Sequence, residues 1–160
     1  SRRMKASAEI ILPAPLDQVW QHVLTPRLMV HVAAPWVAFR PLHPAAWPDQ
    51  WQPGPYRVAM RLFGLVPLGE QTIGIEFPAC DDPQQRRLRD NGWGALIRRW
   101  DHQIYAMAID NQSCRYRDEV TISAGLLTPF IWVYAQLFYR HRQRRWRRLV
   151  AANFDYGAAR

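Results

Sequence analysis

Hydrophobic and polar positions change period several times along the chain, and each change marks an element. Ala6 to Leu12 carries a β-prone core, Ile10-Ile11-Leu12, and Pro13 stops it. Leu16, Val19, Trp20, Val23 and Leu24 then recur at i, i+3, i+4, i+7 and i+8, which places all five on one helical face. Pro15 suits the first helical turn, Asp17 lies where the helix dipole favours a carboxylate, and Pro26 ends the element. A second short helix is expected over 27–34, and a strand over Trp36 to Leu42. Pro44 to Pro55 holds four prolines and two tryptophans and reads as an irregular loop.

Tyr56, Val58, Met60 and Leu62 alternate with Arg57, Ala59, Arg61 and Phe63, the period of a half-buried strand. A turn region over Phe63 to Gly69 leads into a second alternating run, Ile73, Ile75 and Phe77. Three further strands are predicted, over Arg86 to Asp90, Leu96 to Ile109 and Cys114 to Ser123, the last two joined by Asp110-Asn-Gln-Ser113. In the final strand Cys114, Tyr116, Asp118, Val120 and Ile122 share one face, and only Asp118 breaks its apolar character. Thr128-Pro129 starts a long helix that runs to about Ala152. Its first half is apolar almost all round, from Phe130 to Tyr139, so it should be buried on more than one side. In its second half Trp146, Leu149 and Val150 share a face, and most of the arginines point away.

The order strand, two short helices, six strands, long helix is that of an α+β domain. A curved antiparallel sheet of about six to seven strands is expected to wrap around the C-terminal helix over an apolar pocket. One domain over 6–156 with short tails at 1–5 and 157–160 accounts for the pattern. Eight tryptophans, six tyrosines and six phenylalanines in 160 residues are enough to line a cavity as well as fill a core.

The net charge of +8 suits an anionic partner, but Arg140, Arg142, Arg144, Arg145, Arg147 and Arg148 crowd into one stretch. That stretch is a solvated outer face, or a patch for an anionic membrane through Arg140, Arg144, Arg147 and Arg148, or a nucleic-acid patch. Tyr139 and Trp146 interleave with the arginines at a spacing that suits packing better than base stacking, which disfavours nucleic acid. Cys80 and Cys114 have no CxxC or CxxH partner and read as ordinary thiols of a reducing compartment. The basic Ser1–Lys5 start is followed by no apolar leader, and the run Leu126 to Phe138 is too short to span a bilayer. A cytoplasmic location is therefore expected.

Several residue groups together resemble the START-like superfamily, also called SRPBCC or polyketide cyclase-like, in an uncharacterised bacterial branch. Ala8-Glu-Ile-Ile-Leu-Pro-Ala-Pro15 followed by Val19-Trp20 is similar to its first strand and helix. Leu88-Arg-Asp90, Gly94, Ile97, Trp100 and His102 resemble its paired-strand motif, and Cys114-x-Tyr116-x-Asp118-x-Val120-x-Ile122 its penultimate pattern. In that pattern threonine and leucine are commoner at the first two positions. Leu127-Thr-Pro129 with Phe138-Tyr-Arg-His-Arg142 resembles its closing helix, so the likeness covers nearly the whole chain. The resemblance implies a helix-grip fold and a cavity between sheet and helix for lipids, polyketides, isoprenoids or other apolar molecules. Fold alone names no activity.

The expected ligand wall is Val58, Met60, Leu62, Ile73, Ile75, Trp100, His102, Ile104, Tyr116, Asp118, Val120, Phe130, Tyr134, Leu137 and Phe138. The expected function is non-covalent binding of a hydrophobic small molecule, for carriage, sequestration or sensing. His102, Tyr134 or Asp118 would orient the ligand, and the Trp47–Trp51 loop would act as a flap over the mouth. The rival is a cyclase- or dehydratase-type enzyme with His102 as acid or base, against the plainer reading of a histidine hydrogen-bonded in the wall. A hairpin registered through a three-residue loop puts Asp118 opposite Ala106, about 13 Å along the strand from His102, which argues against a His–Asp pair. Asp90 and Asp118 then read as structural carboxylates paired with arginine. No HExxH, GxSxG, GxGxxG or phosphate-loop motif occurs, and His22, His31, His43 and His141 are isolated, so no metal or cofactor is expected.

Overall fold

The computed structural model describes residues 3–159. Its elements are β1 (Met4–Leu12), α1 (Leu16–Val23), α2 (Pro26–Ala33), β2 (Val37–His43), β3 (Gly54–Leu62), β4 (Val66–Glu76), β5 (Gln85–Gly94), β6 (Arg99–Asp110), β7 (Ser113–Ser123) and α3 (Thr128–Ala151). The strands form one antiparallel sheet in the order β1-β7-β6-β5-β4-β3-β2. The first strand pairs with the last because α1 and α2 carry the chain to the far edge, from which β2 to β7 return as successive hairpins. This is the α+β helix-grip arrangement, with α3 gripped by the sheet.

Local chemistry accounts for the element ends. Thr25 caps α2: its hydroxyl oxygen accepts from the Leu28 N–H at 3.3 Å, and Pro26 occupies the first turn. The β3–β4 connection is shorter than the expected Phe63–Gly69 turn. Phe63 and Gly64 both take left-handed conformations, with φ of 52° and 70°. The Leu65 N–H then closes on the Leu62 carbonyl at 3.0 Å. Val66 can therefore pair with Leu62 at once, and Gly69, at φ 82°, absorbs the bulge that follows.

α3 packs on β1, β7 and α2. Ala135, Phe138, Tyr139, Arg142, Gln143, Trp146, Leu149 and Val150 are its buried stripe. The expectation that its first half is buried on more than one side does not hold. Phe130, Val133 and Leu137 are 75%, 52% and 50% exposed, because the sheet covers one side of the helix and nothing in the described residues covers the other. The expectation that the basic half is solvated or faces an anionic surface fails at Arg142, which lies on the buried stripe and is only 7% exposed. Arg140, Arg144, Arg147 and Arg148 do face outward. Among the described residues no helix is long and apolar enough to cross a membrane. Both cysteines are free thiols, and burial pushes Cys114 up to about 11.

Candidate functional site

A cavity of about 340 Å³ lies between the sheet and α3. Strands β3 to β7 supply one wall because their inward positions alternate as the pleat requires. Met60, Leu62, Ile73, Ile75, Trp100, His102, Ile104 and Tyr116 stand in that wall, and Phe130, Tyr134 and Phe138 face them from α3. Four residues expected in the wall are elsewhere. Val58 and Val120 are fully buried in the packed core beside the cavity. Leu137 sits on the outer face of α3, because a helix cannot turn Leu137 and Phe138 to the same side. Asp118 lies behind the wall, fully buried. The cavity opens where Leu96, on the β5–β6 connection, and Phe130, at the start of α3, are both lining and exposed.

The Trp47–Trp51 segment is pinned, not a flap. The Trp51 N–H donates to the Leu24 carbonyl at 2.7 Å, and its ring packs edge-on against Tyr56 with centroids 5.0 Å apart. Trp51 is 5% exposed and lines the cavity as a fixed wall. Leu28, Met29, Val37, Phe39 and Leu88 also line it, and none of them was among the residues expected there.

His102 and Asp118 form the contact that the expected hairpin register forbids. His102 Nε2 lies 2.8 Å from Asp118 Oδ1. The β6–β7 turn has two residues, Asn111 and Gln112, because the Asp110 carboxylate accepts from the Gln112 N–H at 2.8 Å and from the Ser113 hydroxyl at 2.9 Å. Ile109 then bulges between the Ala108–Cys114 and Asp110–Ser113 pairs. The two changes set His102 opposite Val120 and Ile104 opposite Asp118, so His102 and Asp118 become diagonal neighbours within side-chain reach.

Asp118 is the hub of a buried network. It also accepts from the Tyr116 hydroxyl at 3.2 Å and from Gln143 Nε2 at 3.1 Å, and Arg142 stands 3.9 Å away. Burial works against its charge, but the His102 hydrogen bond and the field of Arg142 hold its carboxyl below the usual range. Burial likewise lowers His102, against the pull of Asp118. At neutral pH the pair is therefore a carboxylate and a neutral imidazole. Nε2–H donates to Asp118, which leaves Nδ1 as the acceptor on a ring that lines the cavity.

Asp90 is the second carboxyl of the site and is not paired with an arginine as expected. It lines the cavity, and its Oδ1 accepts from the Gly74 N–H at 2.8 Å. Gly74 permits this close crossing of β4 and β5, since a Cβ there would stand 2.6 Å from the Asn91 carbonyl oxygen. Burial pushes Asp90 up to about 7, because the Gly74 bond and Arg142 offset only part of the desolvation. The residual exposure of Asp90 is to the cavity that it lines.

Arg142 and Gln143 were not expected in the site. The signal was present: Arg142 follows Phe138 by four residues and precedes Trp146 by four, on the helix's apolar stripe. Among the described residues no group of histidine, cysteine and acidic side chains is arranged to hold a metal ion.

Residues 10–150 match the family model described as Domain of unknown function (DUF8410). No curated protein matches the sequence. A START superfamily protein from Mycobacterium smegmatis is similar in structure, with 12% identity and a TM-score of 0.63 over 92% of this chain and 97% of that one. Truncated norcoclaurine synthase from Thalictrum flavum is similar at 10% identity and a TM-score of 0.55, covering 88% of this chain and 91% of that one. The Zhui aromatase/cyclase from Streptomyces sp. R1128 is similar at 11% identity and a TM-score of 0.50, covering 99% and 94%. These likenesses show that the fold is START-like.

Proposed function

This chain belongs to the DUF8410 family, a domain of unknown function, and for it we propose binding of a hydrophobic small molecule in the internal cavity, for carriage, sequestration or sensing. The observation that carries this reading is the cavity: about 340 Å³, within the range of ligand sites, walled mainly by apolar and aromatic side chains and open at one rim. Moving apolar ligand surface out of water there is worth about 25 cal/mol per Å². The START superfamily protein and the aromatase/cyclase share this fold, which supports a hydrophobic ligand, and the resemblance of the sequence extends that to a lipid, polyketide or isoprenoid skeleton. The binding unit is the domain expected over 6–156.

The outer face of α3 fits loading from an anionic membrane. Phe130, Val133 and Leu137 continue along one stripe into Arg140, Arg144, Arg147 and Arg148, with the apolar end at the cavity rim. Such a stripe sinks its apolar end into the interface while the arginines meet lipid phosphates. Nucleic acid is less favoured, since Tyr139 and Trp146 are 2% and 1% exposed and offer no stacking surface. After incubation with phosphatidylserine-containing vesicles, native mass spectrometry is expected to find the protein carrying an apolar molecule. Loading should fall with Phe130→Asp or Arg144→Glu and with neutral vesicles. A protein that emerges empty from both kinds of vesicle would sink the reading.

The 2.8 Å His102–Asp118 pair favours a second reading, a cyclase- or dehydratase-type enzyme with the neutral His102 imidazole as base. That reading expects the extracted ligand to be chemically altered by the native protein and unaltered by His102→Ala, with binding retained. Identical ligand from both proteins excludes it.

A further inference from the structure

We propose that the ligand of this cavity carries a carboxylate, and that Arg142 is the residue that receives it. The inference rests on the apolar-ligand reading and names the chemistry of that ligand's head group. Arg142 reaches the cavity wall from the buried stripe of α3, with its guanidinium over the Phe138 and Tyr139 rings at 5.9 and 5.3 Å. Its Nε is buried with no hydrogen-bond partner. Asp118 Oδ1 is 3.9 Å from its terminal nitrogen, beyond hydrogen-bond length. That carboxylate is already engaged by His102, Tyr116 and Gln143. Asp118 therefore supplies a compensating charge, the Tyr116 hydroxyl lies beside the guanidinium, and the Nε–H donor is left unused.

Two further residues that line the cavity carry polar atoms without partners. Gln71 Nε2 and the Tyr134 hydroxyl are both buried, and the two side chains line the cavity from the sheet and from α3. Buried donors without acceptors are costly, and a hydrocarbon alone would leave all of them so. A carboxylate brings acceptor oxygens that match the planar guanidinium, and the apolar remainder of the molecule fills the space towards the Phe130 rim. From Arg142 to Phe130 is twelve residues along the helix, about 18 Å. The protein can also balance the added negative charge. Asp90, in the same wall, carries a proton up to about pH 7. The other charged or titratable groups around it and Arg142 are Asp101, Asp118, His102, Tyr116 and Tyr139, and of these His102, Tyr116 and Tyr139 are neutral.

The test is calorimetric titration of the full chain with dodecanoic acid and 2-naphthoic acid, each against its methyl ester, at pH 6.5. Each acid is expected to bind about ten- to a hundredfold tighter than its ester, the worth of a buried charge-assisted hydrogen bond. The preference should vanish in Arg142→Gln and return in part in Arg142→Lys. It should also decline above pH 7 as Asp90 ionises. Circular dichroism checks that the variants fold. If Arg142→Gln does not, the ratio of acid to ester in the native protein still decides. Equal binding of acid and ester overturns the carboxylate and leaves the apolar cavity standing. An acid preference that survives Arg142→Gln overturns the assignment to Arg142. Failure of acids and esters alike overturns both readings.

Discussion

Asp118→Ala is expected to destabilise the protein by about 3–5 kcal/mol, the cost of removing one partner from a buried charged group. The carboxylate is fully buried, and three donors converge on it: His102, Tyr116 and Gln143. Its loss leaves His102 and Tyr116 without an acceptor, leaves Gln143 with the Ala8 carbonyl alone, and leaves Arg142 without the carboxylate beside it. Asp118→Asn should recover little, because an amide presents donors where the site already has donors. The double variant Asp118→Ala/Arg142→Met should be more stable than Asp118→Ala alone, since it removes the stranded guanidinium as well. Because the folded carboxyl sits below its ordinary range, the stabilisation it gives is present above that range and is lost as the pH falls through the folded value. Urea unfolding at pH 7 reads the difference. A loss below about 1 kcal/mol would mean that Asp118 is not the hub of the network.

The fold is legible in the sequence because its signals are local. The alternation at Tyr56–Leu62, the helical spacing at Leu16–Leu24 and the proline at Pro129 each act within a few residues, and each forms its element where expected. Thr128, however, is itself the first residue of α3, and its hydroxyl bonds the preceding turn instead of capping the helix. The site is less legible because it depends on register and on helix phase. A turn of two residues instead of three and one bulged residue, Ile109, together decide whether His102 and Asp118 are about 13 Å apart or hydrogen-bonded. Nothing in Asp110–Ser113 announces that bulge, although the Asp110 side chain that tightens the turn is visible. Arg142 is misread for a different reason. In a run of six arginines, charge argues for solvent while spacing places this one on the apolar stripe, and here the spacing wins because Asp118 waits behind the wall.

Asp90→Asn is expected to stabilise the protein above neutral pH and to leave it unchanged at acid pH. The folded carboxyl titrates at about 7, against an ordinary value of 3.8, because burial disfavours its charge. Between those two values the unfolded chain releases a proton that the folded protein keeps, so stability falls as the pH rises across that window. Above pH 7 the folded state bears a buried carboxylate, and the rise of about three pH units sets a ceiling near 4 kcal/mol on the cost. Asparagine keeps the Oδ1 that accepts from the Gly74 N–H and removes the charge. The gain should be about 2–4 kcal/mol at pH 8 and close to zero at pH 4, read by urea unfolding at both. A gain that is the same at both pH values would mean that Asp90 does not titrate in this window. A carboxyl kept in an apolar wall at such a cost fits a group retained for what it does to a ligand. A more stable Asp90→Asn protein whose preference for acids over esters no longer depends on pH would place Asp90 beside the bound carboxylate. Unchanged pH dependence would assign that proton to another group in the wall.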